Sequence, residues 1–407
     1  CVNPWFNLSN RIGSVMHFKS NRRQLIQAGA LAALASRLPI GAAWAATNSV
    51  STPLTFPRDN GAHLDHDIEW WYLTGFLQAA KVNAEPPIGF QMTFFRKRIP
   101  SAQQLTQQLA AKHLVFAHAA LTWPGADGRP AAFHHDQRLA RWNGVSDAAD
   151  DGRQPVYVSQ THMAVRLGRG ASSWFFQPSN GSQEQRQTLQ FDAGVHTDAF
   201  ALDLKVEQTQ PTVLQGRGGL SQKGPDPEAT SWYTTDPQLR IKGQVTLKGA
   251  APISVNGTGW LDHEWSHGFM PAQAVGWDWI GMNFDDGSAL TAFQLRDANG
   301  GVVWTGGSWR AAGSDTAQSY RAGDLAWRVL STWRSPVTGV EYPSQWALET
   351  PQGRFTIVPV SSQQELDSRA TTGTIYWEGL SALRDNSGRR VAWGYLEMTG
   401  YGDPLTI

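Results

Sequence analysis

The feature that most constrains the fold of this chain is an alternation of apolar and polar residues, which recurs along much of its 407 residues. Across residues 200–207, Phe, Leu, Leu and Val alternate with Ala, Asp, Lys and Glu. A period of two is typical of a β-strand with one buried face. The same pattern occurs at residues 239–247, 253–255, 325–329 and 391–395. Gly-containing turns separate these segments, and only residues 101–112 have a helix-like composition. The sequence therefore predicts an all-β fold, a barrel or a sandwich.

Two segments about half the chain apart resemble each other, which indicates two related β-domains. Residues 71–75 (W-Y-L-T-G) and 277–281 (W-D-W-I-G) both begin with Trp and end with Gly, and a return strand that closes on Arg follows each. Chance similarity in a chain with 19 Trp is the other explanation. We place the domains at residues 47–250 and 251–407, with the Gly- and Pro-rich stretch 216–228 as an alternative boundary.

Residues 1–46 have the pattern of an export signal. An arginine pair at residues 22–23 precedes a short apolar stretch, and an A-x-A cleavage signal ends it. The stretch is too short to cross a bilayer, which takes about 20 residues. We therefore expect twin-arginine export to the periplasm or the medium. We also expect translation to start at Met16 and residues 1–15 to be an extension of the gene model.

Composition excludes several classes of protein. Lys plus Arg and Asp plus Glu number 34 each, so the formal net charge is zero, which argues against a nucleic-acid partner. The chain has a single Cys, which excludes both a disulfide framework and a Cys-rich zinc module. We expect a monomer.

His263, Glu264 and His267 form the sequence H-E-x-x-H. In zinc proteases the two His of this motif lie on one face of a helix and bind the metal, and the Glu is the base. Here Gly and Pro at residues 257–259 and 268–271 disfavour a helix. In a strand, residues four apart are separated by roughly 13 Å, too far for one zinc ion. A zinc hydrolase is therefore the least favoured of the functions considered.

Residues 61–72 combine imidazole, carboxyl and indole groups at the start of the first β-domain. One interpretation is a solvated loop followed by a strand that packs Trp into the core. The other is the lip of a pocket, with an acid or base beside aromatic walls. Glu69 next to Trp70 and Trp71 favours the second interpretation for that residue, because an apolar neighbourhood raises a carboxyl pKa.

Six segments carry the motifs of a known family. They read G-A-H at 61–63, E-W-W-Y-L-T-G at 69–75, G-F-Q-M-T-F-F-R at 89–96, S-Q-K-G-P at 221–225, G-W-L-D-H-E-W-S at 259–266 and G-W-D-W at 276–279. Over roughly residues 55–400 the chain resembles the carotenoid 1,2-hydratase (hydroxyneurosporene synthase) superfamily, and most closely its secreted bacterial branch, often called predicted secreted hydrolases. The resemblance implies two lipocalin-like β-barrel domains packed together around an apolar pocket, with little helix outside the signal segment.

The resemblance also implies a chemistry and a set of site residues. Hydratases of this family add water to an isoprenoid double bond without a cofactor, by an acid that protonates the alkene and aromatic faces that stabilise the carbocation. The family's His-x-Trp pair matches His263 and Trp265, whereas the region of its Tyr-x-Asp pair reads Phe-Gln-Leu at 293–295. The acid is therefore expected among Asp262, Glu264, Asp278 and Glu69. The expected substrate contacts are Trp71, Tyr72, Trp277, Trp279, His63, Arg96 and Phe293.

Three functions stay open at this point. The first is a lyase, a hydratase or isomerase of an apolar isoprenoid or lipid-like substrate. The second is a non-catalytic lipocalin-like carrier of a hydrophobic ligand, and the secreted branch further implies a link to a membrane export transporter. The third is the zinc hydrolase.

Overall fold

Strands form almost all of the regular structure. The fold is known from a computed structural model that describes residues 53–79, 86–107, 110–125, 131–145, 150–179, 188–268, 270–402 and 404. Within these ranges there are 23 strands and three short 3-10 helices, Arg58–Asn60, Pro100–Ala102 and Gly170–Ser172, and no α-helix. The described residues also contain no helix of the length and apolarity that a membrane span requires. The expected signal segment, residues 1–46, lies outside the described residues.

The first sheet has 13 strands. They are β1 (Ile68–Ala79), β2 (Ile88–Arg98), β3 (His113–Trp123), β4 (Ala132–Trp142), β5 (Val156–Val158), β6 (Val165–Leu167), β7 (Trp174–Pro178), β8 (Gln190–His196), β9 (Phe200–Glu207), β10 (Val213–Leu214), β11 (Leu220–Gln222), β12 (Thr230–Leu247) and β13 (Ile253–Ser266). Their antiparallel order is β4-β3-β2-β1-β13-β12-β9-β8-β7-β6-β5, and β10 and β11 pair with β12. Because β4 packs against β5 and β6, the sheet curls into a near-complete barrel.

The second sheet has ten strands. They are β14 (Gly276–Phe284), β15 (Ala289–Arg296), β16 (Val302–Arg310), β17 (Gln318–Ser319), β18 (Ala326–Arg334), β19 (Glu341–Thr350), β20 (Gly353–Pro359), β21 (Glu365–Asp367), β22 (Ile375–Arg384) and β23 (Arg390–Met398). Their order is β17-β16-β15-β14-β23-β22-β20-β19-β18, with β21 paired to β22. The prediction of an all-β fold with two lipocalin-like barrel domains is confirmed.

Sheet membership refines the predicted domain division. The predicted boundary at residue 250 lies in the turn between β12 and β13, but β13 pairs with both β12 and β1 of the first sheet. The second sheet begins only at Gly276. By strand pairing the two barrels therefore divide between Ser266 and Gly276. Residues 101–112, which have a helix-like composition, do not form an α-helix where they are described. Their regular structure there is part of the 3-10 helix Pro100–Ala102.

The described residues form three large apolar cores and one small cluster. One fills the first barrel, a second fills the second barrel, and a third lies where the two sheets face each other. The third core includes Tyr72 and Trp260 from the first sheet and Trp279, Leu380 and Tyr395 from the second. Its aromatic residues bury large apolar areas, which favours the association of the sheets.

Strand β13 shows how the two sheets share one element. In its first half, buried and exposed residues alternate, as expected for a strand with one face on a core. Residues 259–266 are buried throughout, because the second sheet covers the face that solvent would otherwise reach. In this half, successive side chains point into two different environments, the interior of the first barrel and the space between the sheets.

The two similar sequence segments place their matching Trp residues in different cores. The similarity would match Trp71 to Trp277, yet Trp71 belongs to the interior of the first barrel and Trp277 to the core between the sheets. Gly281 is needed at that core for close approach, because a Cβ there would lie 2.6 Å from the Trp260 ring. The tight packing at this point keeps the two sheets in a fixed relation.

Candidate active site

A cavity of about 400 Å³ lies between the two sheets. Strands β1, β2, β3, β12 and β13 form one wall, and β14, β15, β22 and β23 contribute most of the other. Its volume falls within the range of small-molecule sites. The aromatic residues that line it are Trp70, Tyr72, Phe95, Phe116, Tyr233, Trp277, Trp279, Phe293 and Tyr376.

The alternation along β13 divides the H-E-x-x-H motif between two environments. Asp262 and Glu264 line the cavity, whereas His263 contacts Glu69 inside the first barrel. His267 lies beyond the end of the strand, and its side chain is 67% exposed. The motif lies on the end of β13 and just beyond it rather than on a helix, so its three side chains do not form the helical zinc site that the motif would imply.

Glu69 is the centre of a hydrogen-bonded cluster inside the first barrel. Its carboxylate is fully buried and accepts from Nε of Arg96 at 2.8 Å, Nδ1 of His63 at 2.8 Å and Nε2 of His263 at 3.0 Å. The backbone N–H of His63 donates to it as well. Arg96 also donates to the carbonyl oxygens of His63 and His66. Four donors thus satisfy the Glu69 carboxylate, whereas Nδ1 of His263 is buried without a hydrogen bond of good geometry among the described residues.

Electrostatics keeps Glu69 ionised. Burial alone would raise the pKa of Glu69, but the Arg96 charge and the hydrogen bonds from His263 and His63 hold it well below its ordinary value. Burial lowers the pKa of His263, and Glu69 offsets this in part. Trp265 stacks on His63 with ring centroids 3.8 Å apart, and Trp71 stacks on His263 at 4.9 Å. The indoles thus enclose the cluster and separate it from solvent.

The cluster also brings three potential metal ligands together. The ligand atoms of His63, Glu69 and His263 lie within 4.8 Å of one another, close enough to hold an ion. The same atoms are already joined by the hydrogen bonds given above, and Arg96 places a positive charge on Glu69. A second cation would therefore meet repulsion and would have to break satisfied hydrogen bonds.

Asp262 is a titratable group of the cavity whose carboxylate accepts three hydrogen bonds. It accepts hydrogen bonds from the hydroxyls of Tyr233 and Thr235, both at 2.6 Å, and from the indole of Trp260 at 2.9 Å. The indole of Trp279 donates to the Tyr233 hydroxyl at 3.0 Å, so the Tyr233 proton is directed toward Asp262. Burial raises the pKa of Asp262 to about 7 although these donors oppose the shift.

Glu264, the neighbouring acid on the same face, is paired instead. Nζ of Lys223 lies 2.9 Å from its Oε1, and Ser231 donates to the same oxygen. Lys223 also lies over the rings of Tyr233 and Phe293, 4.5 and 4.4 Å from their centroids. The Lys223 ammonium and the Glu264 carboxylate therefore balance each other within the cavity wall.

Two cavity acids were not predicted from the sequence, Glu378 and Glu397. They face each other across β22 and β23 as register partners. Burial, and then the charge of Glu397, raises the pKa of Glu378 well above its ordinary value. Burial raises the pKa of Glu397 to about 7, while the indole of Trp277 donates to it at 3.1 Å. The signal was present in the alternation, since both acids lie on the aromatic-bearing face of their strands, with Tyr376 and Tyr395 two residues before them.

The structure thus separates the predicted site residues into three groups. Asp262, Glu264, Tyr72, Trp277, Trp279 and Phe293 line the cavity. The cluster in the first barrel contains Glu69, His63, His263, Arg96, Trp71 and Trp265. Asp278 lies on the far side of β14, where Arg296 and Tyr401 bind its carboxylate at 2.7 and 2.9 Å. The cavity is the place where apolar surface and titratable groups meet.

Comparisons with known proteins agree with this architecture. The sequence profile of a family described as AttH-like matches residues 47–401. A crystal structure of a protein provisionally named AttH, from Nitrosomonas europaea, is 34% identical and covers 91% of this chain and 100% of its own, with a TM-score of 0.72. Kievitone hydratase from Nectria haematococca is 14% identical and covers 88% of this chain and 95% of its own, with a TM-score of 0.58, a similarity of fold. No curated protein matches the sequence.

Proposed function

Because this chain belongs to the AttH-like family, we propose that it binds an apolar, isoprenoid- or lipid-like molecule between its two sheets and hydrates or isomerises a double bond of that molecule. The observation that carries the proposal is a carboxylic acid poised to hold a proton inside an aromatic cavity, Asp262. The fold similarity to a hydratase is compatible with it. No cofactor is needed for acid-assisted addition of water to an alkene.

The proton donor is assigned to Asp262. A general acid works best when its pKa is close to the working pH, because it then still holds its proton and still gives it up readily. With a pKa of about 7, Asp262 meets this condition better than Glu378, which holds its proton more tightly. Glu397 has a similar pKa, but its hydrogen-bond donor is an indole rather than a hydroxyl. The Tyr233 hydroxyl, fixed by Trp279, stabilises the carboxylate that forms when the proton leaves.

The reaction then balances without any other group. The Asp262 O–H proton moves to one alkene carbon, and the π electrons form the new C–H bond and leave a carbocation on the other. The faces of Trp277, Trp279 and Tyr233 stabilise this cation. For hydration, water attacks the cation and its proton returns to Asp262. For isomerisation, the carboxylate removes a neighbouring C–H proton instead.

Deuterium incorporation tests the proposal. The purified protein is incubated in D₂O with geraniol, farnesol, β-farnesene and squalene, and the products are analysed by mass spectrometry. Both reactions place solvent deuterium on carbon, so at least one probe is expected to gain it. Asp262→Asn is expected to lower the rate by about 100-fold or more. Asp236→Asn is the matched control, because Asp236 is a buried acid with a pKa raised to about 6 that lies outside the cavity lining.

The outcomes separate the candidate functions. Binding of a probe without deuterium incorporation would contradict the enzyme proposal and favour the carrier. Absence of both binding and incorporation would contradict the proposed ligand class.

Export is proposed on the sequence pattern of residues 1–46. Replacing Arg22 and Arg23 by Lys together is expected to retain the protein in the cytoplasm, as measured by cell fractionation. Secretion of the double variant at the wild-type level would contradict a twin-arginine signal.

A further inference from the structure

Three buried polar atoms at one part of the cavity lack a hydrogen bond of good geometry among the described residues, although the hydroxyls of Tyr72 and Tyr376 are near enough to the Glu378 carboxyl to oppose the rise in its pKa that burial causes. The three atoms are both carboxyl oxygens of Glu378 and the hydroxyl of Tyr72. Glu378 is 1% exposed and Tyr72 is 6% exposed, and both residues line the cavity. A buried polar group without a partner costs free energy, so a concentration of three such atoms in one cavity points to a ligand.

The surroundings of Glu378 define which hydrogen bonds it can form. Its register partner on the next strand is Glu397, so two carboxyl groups are close together in an apolar setting. Like charges at this separation disfavour ionisation of both. Glu378 in its protonated form offers one O–H donor and one carbonyl acceptor.

The neighbouring Tyr376 does not compete for a ligand as a donor. Its hydroxyl lies 2.8 Å from Nδ1 of His118, and Nε2 of His118 lies 2.8 Å from the Thr371 hydroxyl. Thr371 donates to the side-chain oxygen of Gln137, so it accepts the proton of Nε2. Burial lowers the pKa of His118 to about 3, so the ring is neutral and its Nδ1 accepts from Tyr376. The Tyr376 proton is therefore committed, and the Tyr72 hydroxyl is the phenolic donor left for a ligand.

From this arrangement we propose that Tyr72 and Glu378 bind a single neutral oxygen, a hydroxyl or a carbonyl, on an otherwise apolar ligand. The proposal deepens the proposed function and rests on it, because it names the substrate as an isoprenoid- or lipid-like alcohol or ketone rather than a hydrocarbon. A carboxylate ligand is disfavoured at this position, because it would lie beside Glu378 and Glu397. The ammonium of Lys223, which could otherwise attract an anion, is paired with Glu264.

Ligand pairs of equal carbon number test the subsite. Farnesol, β-farnesene and farnesoic acid are titrated into the full chain at neutral pH, and binding is followed by Trp fluorescence. The wild type is expected to bind farnesol about tenfold more tightly than β-farnesene, the effect of roughly one to two buried hydrogen bonds. It is expected to bind farnesoic acid no more tightly than farnesol.

Substitutions test whether Tyr72 and Glu378 cause the preference for farnesol over β-farnesene. Tyr72→Phe and Glu378→Leu are each expected to reduce the farnesol preference at least threefold and to leave β-farnesene binding unchanged or stronger. Glu378→Gln is expected to keep most of the preference, because an amide is neutral and retains both a donor and an acceptor. Tyr342→Phe is the matched control, since the Tyr342 hydroxyl is also buried without a partner among the described residues but lies in the core of the second barrel.

Binding of β-farnesene by each variant also reports an intact cavity, so a misfolded variant is recognised. Equal affinity of the wild type for farnesol and β-farnesene would overturn the oxygen subsite and leave the proposed function standing. Tighter binding of farnesoic acid than of farnesol would overturn the neutral-oxygen assignment. Failure of every probe to bind would overturn both the subsite and the apolar ligand class.

Discussion

Glu69 in the first barrel and Glu378 in the cavity are both carboxylic acids with almost no exposed surface, 0% and 1%. Glu69 has four donors, one of which is the Arg96 guanidinium, and its pKa is lowered. Glu378 has no hydrogen bond of good geometry among the described residues, has an acid as its cross-strand neighbour, and its pKa is raised. Burial is the same in the two cases, so the partners decide the protonation state.

The comparison separates structure from chemistry. The cluster around Glu69 has its charges paired and its main acceptor satisfied, which suits a framework that fixes β1, β2 and β13. The cavity places acids with raised pKa values, and oxygens without well-formed hydrogen bonds, next to aromatic faces, an arrangement that costs stability and is common at functional sites. Strand β13 supplies both regions from opposite faces.

The largest expected effect is the loss of stability when the cluster around Glu69 loses its negative charge. Glu69→Gln removes a charge that compensates the buried Arg96, so it is expected to lower the free energy of unfolding by about 3–5 kcal/mol. Glu378→Gln replaces a protonated acid by a neutral isostere and is expected to change it by less than about 1 kcal/mol. Urea denaturation of both variants measures the difference, and equal losses would contradict the contrast.

The next effect concerns His263, which the family resemblance implies as a catalytic residue. Its ring faces the first barrel and donates to Glu69. His263→Asn is therefore expected to cost about 1–3 kcal/mol of stability through the lost hydrogen bond. The activity per folded molecule is expected to stay within about threefold, far less than the loss for Asp262→Asn. A 100-fold loss of activity in a fully folded variant would show that His263 is a catalytic residue.

A smaller effect appears as a pH dependence of stability. Asp262 and Glu397 have pKa values raised to about 7, so between about pH 4.5 and 7 the folded protein holds protons that the unfolded chain has released. Their contribution therefore falls as pH rises, by about 1.4 kcal/mol per pH unit for each group. Glu69 acts oppositely, because its lowered pKa contributes stability at neutral pH that is lost on acidification.

Denaturation at several pH values measures these slopes. Asp262→Asn is expected to remove its share of the decline between about pH 5 and 7, and Asp285→Asn, at an exposed ion pair, is the control. An unchanged slope in Asp262→Asn would contradict the raised pKa of Asp262.

Much of the fold could be predicted from the sequence because strand alternation is a local property. The alternation at residues 200–207 and 391–395 corresponds to β9 and β23, and the Gly and Pro residues near His263 correctly disfavoured a helix. The division of the site could not be predicted in the same way. Both faces of residues 259–266 are buried, so alternation does not tell which core receives His263 and which receives Asp262.

Glu378 and Glu397 were missed for a related reason. In the sequence, each is an ordinary acid within an alternating strand. Their place in the cavity depends on residues of the first sheet that are distant in sequence, such as Tyr72, some 300 positions earlier. The twin-arginine signal and the transporter link remain predictions. The resemblance to the hydratase superfamily supplied the fold correctly, while the side on which each motif residue lies required the structure.

The central claim is that the cavity holds protonated acids while Glu69 is ionised. Infrared spectroscopy tests this claim most directly. A buried carboxylic acid gives a C=O stretching band that a carboxylate lacks. At pH 7 the wild type is expected to show this band, and Glu378→Gln is expected to reduce it, whereas Glu69→Gln leaves it unchanged. A wild-type protein without the band at pH 7, or a band that disappears in Glu69→Gln and persists in Glu378→Gln, would contradict the account.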